Sequence, residues 1–482
     1  MPLPTRLNRA LAAAAATLAL NACTTVGPNF VTPDAPRGRA AEGYAMAGDP
    51  AAPRVQLSPD ARVAGPWWQA FQSPELDQAI RQALADSPSA DEAAATLERA
   101  QAQLAAERGG EFPQVDAKGG ARTQRINTES FGFTGFPSRT LSLFSVGGSV
   151  SYDLDLFGGR RRRVESAAAR VDAEARRADA AYLALSGNVA LQAMRIAALR
   201  AEIVEVRGIV AADRRVIGMI QKAQAAGGEA RSALSVSVGQ LAEDEALLPP
   251  LERALAAARH QMALLVGKSP AAYRAPDFEL AALASPATVP ISLPSDLVRR
   301  RPDILAAEAD LHTATAAIGV AVANQYPNIR LSADLTQTTT QPENLFSYSA
   351  SGWNLASGVT APLFDGGTLR ARRRVAEAEA RVALSRYQQT VTRAFVQVSD
   401  VLAALASDQD GIESLKQANA AAESGLRDAE TAYRLGGGPL IDVAHAQRTL
   451  SRARRAMVQI QGQRYIDLVQ LYVATAADWR TS

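Results

Sequence analysis

Between Ser145 and Leu156 apolar and polar positions alternate, with Val146, Val150, Tyr152, Leu154 and Leu156 set against Ser145, Ser149, Ser151, Asp153 and Asp155. A period of two belongs to a strand with unlike faces. The same alternation sets Ile329, Leu331, Ala333 and Leu335 against Arg330, Ser332, Asp334 and Thr336, and places Trp353, Leu355, Val359 and Leu363 on one face. It is weakest at Val115, Ala117, Gly119 and Ala121, which alternate with Asp116, Lys118, Gly120 and Arg122. The pattern predicts four strands in two hairpins, at about 113–157 and about 327–364. Runs near ten residues, apolar outward and polar inward, suit a transmembrane barrel around a wet lumen.

Elsewhere the period changes. Val164, Ala168, Val171, Ala175, Ala178, Tyr182, Leu185 and Val189 follow spacings of four and three, continued by Ile196, Leu199, Ile203, Val206 and Val210 beyond an interruption at Gln192. Val391, Phe395, Val398, Leu402 and Leu405 repeat the pattern. This is coiled-coil spacing. The stretch Arg160–Ala226 lacks proline, and its roughly 67 residues would make a helix of about 100 Å. Return helices are expected from about Arg231 and Leu440, reversing at glycine tips.

These elements occur twice in the same order. Phe112-Pro113 corresponds to Tyr326-Pro327, Phe157-Gly158-Gly159 to Phe364-Asp365-Gly366-Gly367, and Gly227-Gly228 to Gly436-Gly437-Gly438. An internal repeat is therefore the organising feature. The first copy covers 73–268, with long helices at about 160–266, and the second covers 294–475, with long helices at about 368–474. A linker (269–293) joins them, and a short tail (476–482) follows. The fold class is mainly α with a small β part. Four strands cannot close, and an open edge in hydrocarbon leaves backbone groups unpaired at several kcal/mol each. Two copies would give an eight-stranded barrel filled by its own side chains, so three copies are the smallest set with a passage. A homotrimer with a shared β-barrel and an α-barrel of coiled-coil helices is the expectation.

The N-terminus alters where this happens. Arg6 and Arg9 precede the apolar run Leu11–Leu20, which is too short to cross a bilayer, and then Asn21-Ala22-Cys23. Residues 1–22 read as a secretory signal. Leu20-Asn21-Ala22-Cys23 resembles a lipobox, which implies a covalent lipid on Cys23 and a lipidated arm over 23–72, rich in Pro, Gly and Ala up to about Pro66. With one cysteine in the sequence, no intramolecular disulfide forms. Aromatics make up 5% and the formal net charge is +2, so closely packed alanine-rich helices are expected and nucleic acid is not a partner. His260, His312 and His445 are scattered and form no metal-ligand spacing, and no phosphate loop or nucleophile elbow is visible. The reading is therefore no enzyme, no catalytic residue, no metal and no cofactor beyond the lipid. A periplasmic coiled-coil lipoprotein scaffold is the rival reading.

Leu297-Val-Arg-Arg-Arg-Pro-Asp-Ile304, Tyr326-Pro-Asn-Ile329, Cys23-Thr-Thr-Val-Gly-Pro-Asn-Phe30, Trp67-Trp68, Leu154-Asp-Leu-Phe-Gly158, Pro362-Leu-Phe-Asp-Gly-Gly367 and Tyr433-Arg-Leu-Gly436 span nearly the whole mature chain. Together they resemble the outer-membrane factor (TolC-like) family, in its NodT-type lipoprotein branch. The resemblance implies a trimer in the outer membrane, reaching into the periplasm, coupled through a periplasmic adaptor to an inner-membrane pump of the RND type. It implies passive efflux of drugs, toxic small molecules or metal ions, with type I secretion as the alternative. It also implies an aperture narrowed by carboxylates after the second tip. Asp442 matches the first such position, His445 stands at the second, and Tyr433 is retained at a gate-lock position, while Gly438 and Ala233 replace charged residues. Three copies of Asp442 would favour cations, and His445 could add charge below neutral pH. The adaptor-docking tips correspond to Gly227, Gly228, Gly436, Gly437, Gly438 and Leu440. Arg160, Arg161, Arg162 and Arg163, and Arg370 with Arg372, Arg373 and Arg374, follow the diglycines, where outer-membrane lipid headgroups or solvent would meet them.

Overall fold

The computed structural model describes residues 25–34, 44, 57–58, 66–127, 132, 135, 139–227, 230–286, 289–290 and 294–476. The expected signal (1–22), Cys23 and Gly228 lie outside the described residues. In chain order the elements are β1 (Leu57–Ser58), α1 (Pro74–Asp86), α2 (Pro88–Gly109), β2 (Gln114–Ile126), β3 (Arg139–Leu154), α3 (Gly159–Ala225), α4 (Arg231–Glu245), α5 (Leu248–Leu265), β4 (Val289–Pro290), α6 (Pro294–Arg300), α7 (Pro302–Ala323), β5 (Asn328–Thr339), β6 (Ser351–Thr360), α8 (Thr368–Arg434) and α9 (Leu440–Ala474). The chain is mainly helical, with the expected small antiparallel sheet. Among the described residues no helix is long and apolar enough to cross a membrane.

Two compact units divide the chain. The first comprises Met1–Pro33, Thr96–Glu174 and Ala306–Tyr387, and contains a four-stranded sheet in the order β2-β3-β5-β6. Among the described residues, both outer strands have an unpaired edge. Helices adjoin each strand in turn, since α2 leads into β2, β3 into α3, α7 into β5 and β6 into α8.

The second unit comprises Asp34–Ala95, Ala175–Leu305 and Gln388–Ser482. Its helices approach closely because the contact positions are small. A Cβ on Gly187 of α3 would stand 2.6 Å from Val473 Cγ2 of α9, and one on Gly462 of α9 would stand 2.6 Å from Ala198 Cβ of α3. Ion pairs join α3 to α4 (Arg214–Glu245, 2.7 Å), to α5 (Arg207–Glu252, 2.8 Å) and to α9 (Glu202–Arg455, 2.9 Å). The helix α3 thus has neighbours on two sides. Leu183, Leu185, Val189, Ala190, Ala193, Met194, Ile196 and Ala197 are all buried, which a single two-helix seam would not require. Alanines between the heptad positions admit the second neighbour.

The first return limb differs from the continuous helix expected there. It breaks between Glu245 and Leu248, because Pro249 and Pro250 supply no amide donors and instead occupy the first turn of α5. The second return limb, α9, contains no proline within Leu440–Ala474 and stays continuous. An aromatic knot closes this unit. Trp67, Trp68 and Phe71 are buried, Trp67 stacks on Tyr472 at 5.6 Å, and Tyr465 donates to the Leu283 carbonyl at 2.8 Å. Arg301, within the Arg-Arg-Arg-Pro-Asp motif, pairs with Asp303 at 2.7 Å and donates to the Ala474 carbonyl at 2.9 Å, capping the end of α9.

Candidate functional site

The strand register sorts the sheet into two chemically opposite faces. Leu154 faces Ile329, Tyr152 faces Leu331, Val150 faces Ala333 and then Leu355, and Gly148 faces Leu335 and then Trp353. Most of this face is exposed: Trp353 is 81% exposed and Leu355 74%, and Val115, Leu335 and Val359 are exposed as well. The opposite face pairs Asp153 with Arg330, Ser151 with Ser332 and Ser149 with Asp334. Arg330 donates twice to Asp153, at 2.6 and 3.0 Å, and Arg160 approaches the same carboxylate at 3.4 Å. An apolar area this large on a soluble surface marks a contact with a membrane or partner.

Both strand-to-helix junctions use an aspartate as a cap. Asp155 accepts from the amides of Arg160 (3.0 Å) and Arg161 (2.9 Å) at the start of α3. Asp365 accepts from Gly367 (2.8 Å) and Leu369 (2.7 Å) at the start of α8, and the Leu369 and Gly367 amides hold its carboxyl below the usual carboxylate range. An acid at a helix N-terminus is favoured by the exposed amides and the dipole.

The arginine runs beyond these caps do not behave as a uniform headgroup-facing patch. Arg162 departs most clearly from the expectation, since its side chain is only 3% exposed. It donates to the carbonyls of Val26 (3.2 Å) and Gly27 (3.3 Å), to Asn29 Oδ1 (2.8 Å) and to Glu165 (2.7 Å). Its role is to clasp the N-terminal arm. Phe30 of that arm stacks on His312 at 4.4 Å, and His312 Nε2 lies 3.1 Å from Glu165. Burial works to raise the Glu165 pKa, but hydrogen bonds from Arg162 and His312 outweigh it and hold the carboxyl below its ordinary value. Arg160 and Arg161 lie beside Asp153 and Asp155, and Arg373 pairs with Glu377 at 2.8 Å. Arg163, Arg372 and Arg374 are exposed.

At the second tip, α8 ends in a Schellman cap: Gly437 N–H donates to the Ala432 carbonyl (2.8 Å) and Gly436 N–H to that of Tyr433 (3.0 Å). The φ of +77° at Gly436 is what this turn needs. Gly227, with φ of +78°, ends α3. Beneath the turns, Leu440 and Val443 pack with Val216 and Ile220, and Tyr433 and Ala233 lie against that cluster. Leu440 is fully buried, so it is not available to dock a partner. Gly436 and Gly437 remain exposed, as do Asp442 in the first turn of α9 and His445 three residues on.

Two carboxyl pairs in the second unit escaped the sequence reading. Asp213 of α3 lies beside Asp244 of α4, and burial first, then this neighbour, push its pKa up to about 7, opposed by Arg448 of α9. Asp408 of α8 faces Asp467 of α9, and burial first, then Asp467, raise it to about 6 against Arg464. Gln463 donates to both Asp467 oxygens at 3.1 Å, and Arg464 also holds Gln409. The signal lay in the heptads: Asp213 occupies the next seam position after Val206 and Val210.

A family model described as outer membrane efflux protein matches residues 79–268 and 293–477. The pyoverdine export outer membrane protein OpmQ of Pseudomonas putida is 29% identical over 96% of this chain and 96% of its own length. The probable outer membrane lipoprotein SilC of Salmonella typhimurium is 25% identical, with 95% and 96% covered. Among solved structures, the outer-membrane channel OprN superposes with a TM-score of 0.86 at 26% identity, over 95% of this chain and 100% of that one. With its two matched segments lying over the two repeats, this chain belongs to the outer membrane efflux protein family.

Proposed function

We propose that the chain is the exit duct of a tripartite efflux assembly, working as a homotrimer joined through a periplasmic adaptor to an inner-membrane pump of the RND type. The sheet carries this reading. It has one exposed apolar face, one polar face and two unpaired edges, a combination that hydrocarbon tolerates only after closure. Three copies supply twelve strands, beyond the eight whose interior side chains fill. Arg330, Asp153 and Asp334 would then line water. The duct acts by passage alone, and its cargo follows the pump: OpmQ exports pyoverdine by its name, and drugs, toxic small molecules or metal ions are the classes proposed here.

Cys23 carries the lipid in this reading, as in a lipoprotein of the SilC kind. Asp442, exposed in the first turn of α9, would form a cation-favouring ring with its symmetry copies, with His445 beside it and Tyr433 packed behind. The glycine tips Gly227-Gly228 and Gly436-Gly437-Gly438 would meet the adaptor, and the exposed Arg161, Arg373 and Arg374 would reach lipid headgroups.

The test is single-channel conductance of the purified protein in planar bilayers, beside cross-linking of the subunits and palmitate labelling. Discrete openings from a cross-linked trimer, a reduced cation preference in Asp442→Ala and loss of label in Cys23→Ser are expected. No conductance together with no trimer would overturn the duct and favour a periplasmic scaffold.

A further inference from the structure

The four helices adjoining the sheet line a cavity of about 680 Å³ open to solvent on one side, which receives side chains from all of them: Gln103 and Glu107 of α2, Arg163 and Arg170 of α3, Asn324 of α7 and Arg372 of α8. Because each helix is joined directly to a strand, their order follows the sheet, α2-α3-α7-α8. In such a layer, side chains of the first and fourth members reach one cavity only on the concave side. The N-terminal arm takes a different face of the same helices, held by Arg162 and Glu165 of α3 and His312 of α7. The cavity is therefore not the arm's seat.

Its lining combines charge with an apolar floor. Ala167, Ala317 and Val320 supply the floor. Arg163 stands 3.9 Å from Glu107, a loose pair between half-exposed side chains. Among the described residues Arg170 and Arg372 have no acidic or hydrogen-bonding partner. Three guanidiniums against one carboxylate leave an excess of positive charge, and two forks are free to take an anion bidentately. The volume falls within the range that holds drug-sized ligands, roughly 300–1,000 Å³.

We infer that this cavity is a binding station for anionic amphipathic solutes, with a carboxylate, sulfonate or phosphate held by Arg170 and Arg372 and an apolar body laid on the Ala167–Val320 floor. It rests on the duct reading, because the concave side becomes the inner wall only when copies close. A duct with such a station would hold anions briefly on their way through, whereas Asp442 favours cations where it stands.

The experiment is current block in planar bilayers of neutral phosphatidylcholine, with naphthalene-1-sulfonate as the probe and 1-naphthylmethylammonium as its cationic counterpart. The sulfonate should block the wild-type current and the ammonium should not. In the double variant Arg170→Gln with Arg372→Gln, the half-blocking concentration should rise about tenfold or more, corresponding to about 1.4 kcal/mol, with the open-channel current preserved. Equal block by inorganic phosphate, equal block in the variant, or block by the ammonium would overturn the assignment. Added phosphatidylglycerol should leave the sulfonate block intact, and loss of block on its addition would overturn the solute in favour of a lipid occupant. A wild type without conductance strikes at the duct itself, while conductance without sulfonate block strikes at this station alone.

Discussion

The two strand-to-helix junctions carry the same ingredients, an aspartate cap and a diglycine, yet among the described residues only the first is packed against the rest of its chain. A Cβ on Gly158 would stand 2.6 Å from Thr25 Cγ2, and one on Gly159 would stand 2.9 Å from Ala323 Cβ. Phe157 stacks on Tyr326 at 4.6 Å, and Val26 N–H donates to the Phe157 carbonyl at 3.1 Å. At the second junction nothing among the described residues lies within 4 Å of a Cβ placed on Gly366 or Gly367, and Leu363 and Phe364 are 96% and 94% exposed. Similar ingredients thus serve unequal ends. In the first copy the diglycine makes room for the arm and for α7, and in the second it provides only the turn, with Leu363 and Phe364 left exposed.

Removing the clasp should break the contrast most. Arg162→Met leaves Glu165 and the arm carbonyls without their buried partner, at a cost of about 3–5 kcal/mol, and the Val26 amide should exchange with solvent much faster. Arg370→Met, the exposed counterpart three residues past the second diglycine, should change stability by less than about 0.5 kcal/mol. Similar exchange at Val26 in both variants would refute the clasp.

A smaller effect tests the glycines. Gly158→Ala should lose about 1–2 kcal/mol to its left-handed φ and about 1–3 kcal/mol more to overlap with Thr25, whereas Gly366→Ala should lose only the first amount. Thermal midpoints of the two variants in one detergent measure the gap. If they coincide, the arm does not press on the first junction.

The mildest contrast is in pH. Each repeat holds one carboxyl pair between its long helix and its return limb, and both raised pKa values mean that the protonated form is the one the fold favours. That contribution is whole below about pH 4, and is lost as pH rises through about 6 for Asp408 and about 7 for Asp213. Asp213→Asn and Asp408→Asn should each flatten part of the decline in thermal midpoint between pH 4 and pH 8, the former reaching to higher pH. An undiminished decline in the double variant would assign it to other groups.

Much of the fold was legible in the sequence, because periods of two and of three to four report local geometry directly. The strands, the length of α3 and the tips all come from such patterns. Contacts made across the chain were not legible. Arg162 looked like one member of a solvated run because its partner Val26 lies 136 residues away, and Leu440 looked like a docking residue because the cluster that buries it draws on α3, α8 and α9. Pro249-Pro250 are a local signal for the break in the first return limb. Asp442 and His445 lie exposed where the sequence placed them, at the start of α9.

The aromatic knot also has a bearing on how the protein is made. Trp67 and Phe71 find their partner Tyr472 only near the other end of the chain. Contacts so distant in sequence form late, since the loop they close carries the entropy of nearly the whole polypeptide. During synthesis and export the N-terminal indoles must therefore wait, unpaired, until α9 arrives, and the unfinished chain displays its stickiest surface throughout that interval. A holding chaperone would have most to gain by binding there, and truncation just before Tyr472 should leave a molecule that aggregates instead of one merely missing its last turns.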